Sequence, residues 1–307
     1  MGLLKRNRSI TQKQFAPKSL KPQHTRKLIR RFHVLLKNKA IILQKLAWDD
    51  NYESVLKGNH KQVYDNGTKT VHSEMFKLEH MNKSELVRTL GQIDGEIHKS
   101  GGLEVYQIAS QQGQSNKRGS DSSKKLVEWL KSAYELQPHW KALEIGCLSP
   151  DNLISTSKLF ESVVRIDLNS QHHLILQQDF MERPLPANHG EKFNLVSCSL
   201  VLNFVPTPKE RGDMLRRITK FLVDPGENIL SALFLVIPLP CVSNSRYLDY
   251  HKVKEIMEVL GLKERFYHES NKLAYWLFDW SGKTSATSVK KIELHRGGSR
   301  NNFAVVL

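Results

Sequence analysis

The sequence predicts an α/β fold in which a mostly parallel sheet is covered by helices on both faces and preceded by a helical, basic N-terminal region. Three observations carry this. Beyond Pro138, short apolar runs alternate with amphipathic stretches; the first run ends in glycine and the second in aspartate; and residues 1–46 hold thirteen Lys and Arg but no Asp or Glu. Strands that alternate with helices form parallel sheets, because each crossover helix returns the chain to the edge where the strand began. A chain of 307 residues, 39% hydrophobic and 25% charged, has room for such a core and a smaller accessory region.

The N-terminal region is lopsided in charge. The chain carries +15; residues 1–46 account for +13, and only +2 is spread over residues 47–307. Lys5, Arg6, Arg8, Lys13, Lys18 and Lys21 lie in a polar, proline-punctuated stretch, which predicts a disordered basic tail over 1–24. A helical region is expected over 25–110. From Thr25 on, Leu28, Phe32, Leu35, Leu36, Leu43 and Leu46 recur at the three- and four-residue steps of one helix face. A second helical piece is expected over 73–109, with Met75, Leu78, Leu86, Leu90 and Ile93 on one face and Gly95, Gly101 and Gly102 interrupting it. Such charge suits a nuclear-import signal or contact with nucleic-acid phosphates, and the two are compatible. An RNA or DNA neighbourhood is favoured, without sequence-specific readout, since phosphate contacts position a protein without specifying bases.

QQGQSNKRGSDSS, from residue 111, reads as a linker over 111–122 ahead of a domain over 123–307. That domain opens on SKKLVEWLKSAY, a helix capped by Ser122 or Ser123, with Leu126, Leu130 and Ala133 or Tyr134 as its buried stripe. KALEIG (141–146) is a strand, 151–160 can form a helix, and VVRID (163–167) is the second strand. LILQ (174–177) and FNLVSCS (193–199) are the third and fourth. Residues 209–222 form a helix with Met214, Leu215, Ile218 and Leu222 on one face; 229–237 is the fifth strand and 253–260 a further helix. LAYWLF (273–278) and NFAVVL (302–307) close the chain as two strands without a helix between them, an antiparallel hairpin at the sheet edge. This is the layout of a Rossmann-like class I methyltransferase core with a mostly parallel seven-stranded sheet.

Other classes are disfavoured. Cys147, Cys198 and Cys241 are far apart, with no CxxC pair and no His at zinc spacing, so buried apolar thiols in a reducing compartment are expected and no metal. Lys5, Arg6 and Arg8 follow the opening residues at once, against a secretory signal, and Arg6 stands where myristoylation requires Ser or Thr. The longest apolar run, 229–242, is too short to span a bilayer and contains Pro238 and Pro240. A soluble, intracellular protein without a membrane partner is expected.

In doubly wound sheets, ligands bind beyond the carboxyl ends of the strands. Gly146 ends the first strand, where a missing side chain lets a ligand approach the backbone. Asp167 ends the second, 21 residues later, where a carboxylate can accept from both hydroxyls of a ribose. Asp179 and Phe180 follow the third strand, an acid for an adenine amino group and an aromatic ring to pack on the base. Ser199 ends the fourth. A dinucleotide site needs further glycines to cradle a pyrophosphate, yet Gly146 is followed by Cys147-Leu-Ser-Pro-Asp-Asn152. A cofactor with a ribose but no phosphates fits both statements. S-adenosylmethionine is one, and its sulfonium suits a carboxylate-lined pocket to which Glu144 contributes.

LEIGCLSPDN, RIDLNSQHHLILQQDFMERPLP, FNLVSCSLVLNFVPTPKERGDML and LFLVIPLPCVSNSRYL, with VYQIASQQGQSNKRGSDSSKKLVEWL upstream, span roughly residues 100–260. Together they resemble the fungal nucleolar 25S ribosomal RNA adenine-N1-methyltransferase family. The resemblance implies that Gly146 and Asp167 are the S-adenosylmethionine-binding pair, that Asp179, Phe180 and Ser199 are further cofactor contacts, and that Arg118 closes over the methionine end. It also implies methylation of large-subunit ribosomal RNA or a pre-ribosomal particle in the nucleus and nucleolus, during ribosome biogenesis. Metazoan relatives with a similar core look like S-adenosylmethionine sensors, so a non-catalytic sensor is the alternative, and a small-molecule methyltransferase a third; the basic arm argues against both. The Asn/Asp-Pro-Pro-aromatic loop used for exocyclic N6 chemistry is absent, since the position after the fourth strand reads SCSLVLNF. Asn203, Phe204, Asn244, Arg246 and Tyr247, all after strand ends, are candidates to hold the base.

Overall fold

Seven strands build one sheet: β1 (Lys141–Ile145), β2 (Ser162–Asp167), β3 (Leu176–Gln177), β4 (Leu195–Ser199), β5 (Ala232–Pro238), β6 (Leu262–Glu269) and β7 (Leu273–Trp280). The structure, a computed structural model, describes residues 22–49, 51–70, 78, 80–102, 121–170 and 172–307. The strand order is β3-β2-β1-β4-β5-β7-β6, with β7 antiparallel to both neighbours and the remaining pairs parallel. That is the class I methyltransferase arrangement. The chain divides into two compact units, Met1–Gly113 and Gln114–Leu307.

Period-two alternation gives the sheet two apolar faces. Leu143, Ile145, Val196, Cys198, Leu233 and Leu235 pack with Met214, Leu215 and Ile218 of one helix (Pro208–Thr219) and with Val253 and Ile256 of another (Tyr250–Val259). Ala142, Leu195, Ala232, Phe234 and Val236 face the opposite way, onto Leu126, Trp129 and Leu130 of the helix Ser123–Ala133. β5 is buried on both faces and accordingly reads as a continuous apolar run.

The first unit contains α1 (Pro22–Leu46), α2 (Asn59–Lys69) and α3 (Lys83–Lys99). Numbering on, the helices of the second unit are α4 (Ser123–Ala133), α5 (Leu153–Thr156), α6 (Pro208–Thr219), α7 (Pro240–Ser243) and α8 (Tyr250–Val259). Phe32, Leu35, Leu43 and Leu46 of α1 are buried, with Leu78, Leu86, Leu90 and Ile93. Arg31 pairs with Glu96 at 2.5 Å and Lys39 with Asp94 at 2.8 Å, so two of the basic segment's charges are compensated within the fold. The disordered tail expected over 1–24 lies outside the described residues except for residues 22–24, which begin α1. Met75, Arg118 and residues 111–120 of the linker also lie outside them.

Several expectations are corrected. Gly95 does not interrupt a helix: it lies within α3, where a Cβ would collide with Thr68 O of α2, as one at Gly91 would with Tyr64 O. The glycines let two backbones touch, and α2, polar around most of its circumference, gives no periodic apolar signal of its own. The helix expected over 151–160 is the single turn α5, and the third strand shrinks to two residues. The edge hairpin is β6–β7. LKERFYHE gives no strand signal because it is a half-exposed edge strand rich in charge. Residues 302–307 stand outside the sheet ladder, with Val306 N–H donating to Pro208 O and Leu307 N–H to Val289 O.

Candidate active site

The register sets the strand ends in a row. Ile145 pairs with Ile166 on one side and Cys198 on the other, so Gly146, Asp167 and Ser199 come next at the carboxyl edge of three adjacent strands. The Gly146 and Cys147 N–H groups both donate to Ile166 O, at 2.8 and 3.1 Å, turning the chain across the end of β2. Gly146 has φ +73°, and a Cβ there would strike Val201 Cγ2 in the loop after β4. Backbone conformation and space both require glycine here.

Asp167 is half-buried. Its Oδ1 accepts from Asn169 N–H at 2.8 Å, and burial holds its carboxyl above the ordinary value against that hydrogen bond. Ser199 Oγ lies 2.8 Å from Ser122 Oγ, linking β4 to the start of α4. Beside them, Asp121 caps two helices. Its Oδ1 accepts from Ser123 N–H at 2.9 Å and Ser123 Oγ–H at 2.7 Å, and its Oδ2 from Leu153 N–H of α5 at 2.5 Å. The expected cap residues are thereby corrected: Ser122 makes no capping bond, and Ser123 Oγ accepts instead from Ile154 N–H at 2.9 Å. Asp121 is silent in the sequence, because an acid in a polar linker carries no local mark of two helix ends 30 residues apart.

Beneath this row lies Glu144, 7% exposed. One carboxylate oxygen accepts from Asn152 Nδ2 at 2.7 Å, and the other is buried with no hydrogen-bond partner. Burial pushes its carboxyl up to about 7, against the hydrogen bond from Asn152.

The residues after β3 divide. Asp179 Oδ1 accepts from Met181 N–H at 2.7 Å, capping a turn two residues past the strand. The Phe180 ring is turned into the core, 3% exposed, 5.2 Å from the Phe221 ring centroid, while its carbonyl accepts from Arg217 Nε at 3.0 Å.

Two loops form the rest of the rim. After β4, Leu200 adopts φ +59°, Asn203 has its amide oxygen buried without a partner, and Phe204 is 37% exposed. After β5, Asn244 O accepts from Asn301 N–H, and Arg246 donates to Gly297 O at 3.1 Å and to Asn302 Oδ1. Arg246 therefore braces the C-terminal segment. Tyr247 lies beneath Lys291, whose Nζ is 4.1 Å from the ring centroid. Arg211 of α6, which the sequence does not single out, is 2% exposed and bolts the loop after β4 to the C-terminal segment. It donates to Val205 O (2.9 Å), Pro206 O (3.1 Å) and Ala304 O (2.7 Å), over the Phe303 ring.

A cavity of about 460 Å³ lies instead at the amino ends of β1 and β2, lined by Lys141, Ser162, Arg183 and Lys192. Its cations are engaged, Lys141 with Gly190 O and Lys192 with Asp224, and it lies at the opposite end of the sheet from where doubly wound folds bind ligands. Among the described residues no three His, Cys, Asp or Glu side chains are grouped to hold a metal, and no helix is long and apolar enough to cross a membrane. All three cysteines are free thiols.

The residues at the row fit a nucleoside cofactor without phosphates. The Gly146 turn presents bare backbone at the strand end, Asp167 offers a carboxylate beside it, and the Glu144 carboxyl below keeps one oxygen without a partner.

Comparison with known proteins places the chain. Residues 91–305 match the family model described as 25S rRNA (adenine(2142)-N(1))-methyltransferase, Bmt2. A Saccharomyces cerevisiae protein named 25S rRNA (adenine(2142)-N(1))-methyltransferase is 39% identical over 94% of this chain and 93% of its own. A Schizosaccharomyces pombe protein named 25S rRNA adenine-N(1) methyltransferase is 38% identical over 71% of this chain and 82% of its own. Among solved structures, the N-methyltransferase NodS from Bradyrhizobium japonicum in complex with S-adenosyl-l-homocysteine aligns with a TM-score of 0.37 at 16% identity, over 51% of this chain and 84% of that one, too slight a likeness to assign anything further. The chain belongs to the 25S rRNA (adenine(2142)-N(1))-methyltransferase family.

Proposed function

We propose that this protein is an S-adenosylmethionine-dependent methyltransferase that methylates N1 of an adenine in 25S ribosomal RNA, acting on the RNA or a pre-ribosomal particle in the nucleolus during ribosome biogenesis. The observation that carries the reading is Asp167 beside the glycine-only turn at Gly146, at adjacent strand ends. The names of the relatives supply the RNA and the atom.

Asp167 would accept from the ribose hydroxyls of the cofactor, and Gly146 would let it lie against the backbone. Asp179 is the acid for the adenine amino group, while the Phe180 ring packs on Phe221 in the core. Ser199, tied to Ser122, and the carboxylates of Asp121 and Glu144 border the methionine end. When bound, S-adenosylmethionine supplies an electrophilic methyl group on a positively charged sulfur. The protein's task is then positioning and drying, since N1 of neutral adenine has its own in-plane lone pair and needs no proton acceptor. Asn203 and Phe204, in the loop after β4, would hold the base. The Watson–Crick edge carries N1, so the target must be unpaired or splayed out. Mapping methylated adenines in large-subunit RNA from cells lacking the protein tests this: one N1-methyladenine should disappear, and an unchanged map would refute the reading.

A further inference from the structure

Charge along the folded domain is not evenly laid. Residues 283–307 carry Lys283, Lys290, Lys291, Arg296 and Arg300 against the one acid Glu293, a net +4, which leaves −2 for residues 47–282. The positive segment is fixed in place. Leu294 and His295 N–H both donate to Arg246 O, at 2.7 and 3.1 Å; Arg246 N–H donates to Asn301 O at 3.0 Å, and Asn301 N–H to Asn244 O at 2.9 Å. His295 Nε2 lies 3.1 Å from Asp249 Oδ2, and Ser245 Oγ donates to Phe303 O at 2.6 Å. All these partners lie in the loop that leaves the carboxyl end of β5, on the side of the sheet where Gly146, Asp167 and Ser199 stand.

Within this strap the cations have different work. Arg300 braces the Ser245 carbonyl, and Lys291 covers Tyr247. Lys290 and Arg296 are exposed and donate to no other described residue. Ile292 and Leu294, 56% and 38% exposed, stand between them in sequence. Cations kept clear of internal partners on a strap that is itself bolted down are arranged for an external anion, and apolar side chains beside them suit ribose and base faces. Resting on the RNA-methyltransferase reading, we infer that residues 290–300 form a phosphate-binding surface, with Lys290 and Arg296 as its contacts, along which RNA flanking the target base lies. Its position at the rim lets it set where the base meets the site.

The test compares the full chain with Lys290→Gln/Arg296→Gln and with Lys131→Gln/Lys263→Gln, which removes equal charge from exposed positions at the amino end of the sheet. Binding to unmodified 25S ribosomal RNA transcript is measured across salt concentrations, with S-adenosylmethionine affinity and melting temperature alongside. Each phosphate that is no longer neutralised lowers the log–log salt slope by about 0.7–0.9, so the first variant should drop by about 1.5 and bind roughly thirtyfold more weakly at 0.1 M salt. Its cofactor affinity and melting temperature should equal the parent's, and KM for RNA should rise with kcat kept, as for interactions made equally in ground and transition states. If the two variants behave alike while the parent binds and methylates RNA, the surface is refuted and serves another partner; if the parent binds no RNA, the surface and the activity fall together.

Discussion

Replacing Asp167 by alanine separates a binding role from a structural one. If its carboxylate accepts ribose hydroxyls, losing hydrogen bonds from a charged acceptor costs about 1.5–3 kcal/mol, roughly ten- to a hundredfold in affinity. Stability should move differently. Burial holds the Asp167 carboxyl above its ordinary value. A raised acid favours the folded state fully below the ordinary value and loses that advantage as pH rises through the folded value, so at neutral pH the charge opposes folding. Alanine removes this opposition and the single bond from Asn169 N–H at 2.8 Å, so the ligand-free protein should melt within a few degrees of the parent. Cofactor at a hundred times the parent Kd stabilises the parent by about 2.7 kcal/mol, but a variant weakened a hundredfold by only about 0.4 kcal/mol. Calorimetric titration and paired melting curves with and without S-adenosylmethionine measure both. Unchanged affinity would remove Asp167 from the site, and a collapse of the ligand-free melting temperature would make it a structural residue.

Glu144→Gln should flatten the pH dependence of stability: with its carboxyl raised from 4.5 to about 7, the parent loses stability as pH rises between those values, by on the order of 3 kcal/mol. Chemical denaturation at pH 5 and pH 8 checks this, and an equal pH dependence in both proteins would contradict it. Arg211→Met leaves three carbonyls without their donor, at about 1–3 kcal/mol each, so the melting temperature should drop by roughly ten degrees or more; loss of RNA methylation in any surviving folded fraction would follow from a loosened rim loop. Deleting residues 1–22 should reduce the salt slope of RNA binding by about 0.7–0.9 for each phosphate the segment neutralises, while leaving cofactor affinity unchanged. An unchanged slope with lost nuclear accumulation would assign the segment to import alone.

What is legible in the sequence follows from how locally each feature is written. β5 is buried on both faces and advertises itself as an unbroken apolar run, β1 is apolar apart from Lys141 and Glu144, and Gly146 and Asp167 stand where the first two strands end. α1 is legible through its apolar spacing, although nothing local tells that Arg31 and Lys39 pair with Glu96 and Asp94 of α3. Arg211 sits in PKERGDML, which reads as a solvated charged helix, and only the returning C-terminal segment makes it a buried bolt. The same segment misleads in the other direction, because FAVVL is apolar enough for a strand but buries its side chains without joining the ladder. Phe180 illustrates a further limit: an aromatic beside an acid marks the place, but whether the ring faces ligand or core depends on Phe221 and Arg217, roughly forty residues away.

The central claim is most directly tested by incubating the purified protein with methyl-labelled S-adenosylmethionine and unmodified 25S ribosomal RNA, free or in pre-ribosomal particles, and digesting the RNA to nucleosides. The label should appear in N1-methyladenosine. Label in N6-methyladenosine or a methylated cytidine would contradict the assigned atom, and no transfer to either substrate would contradict the enzyme itself.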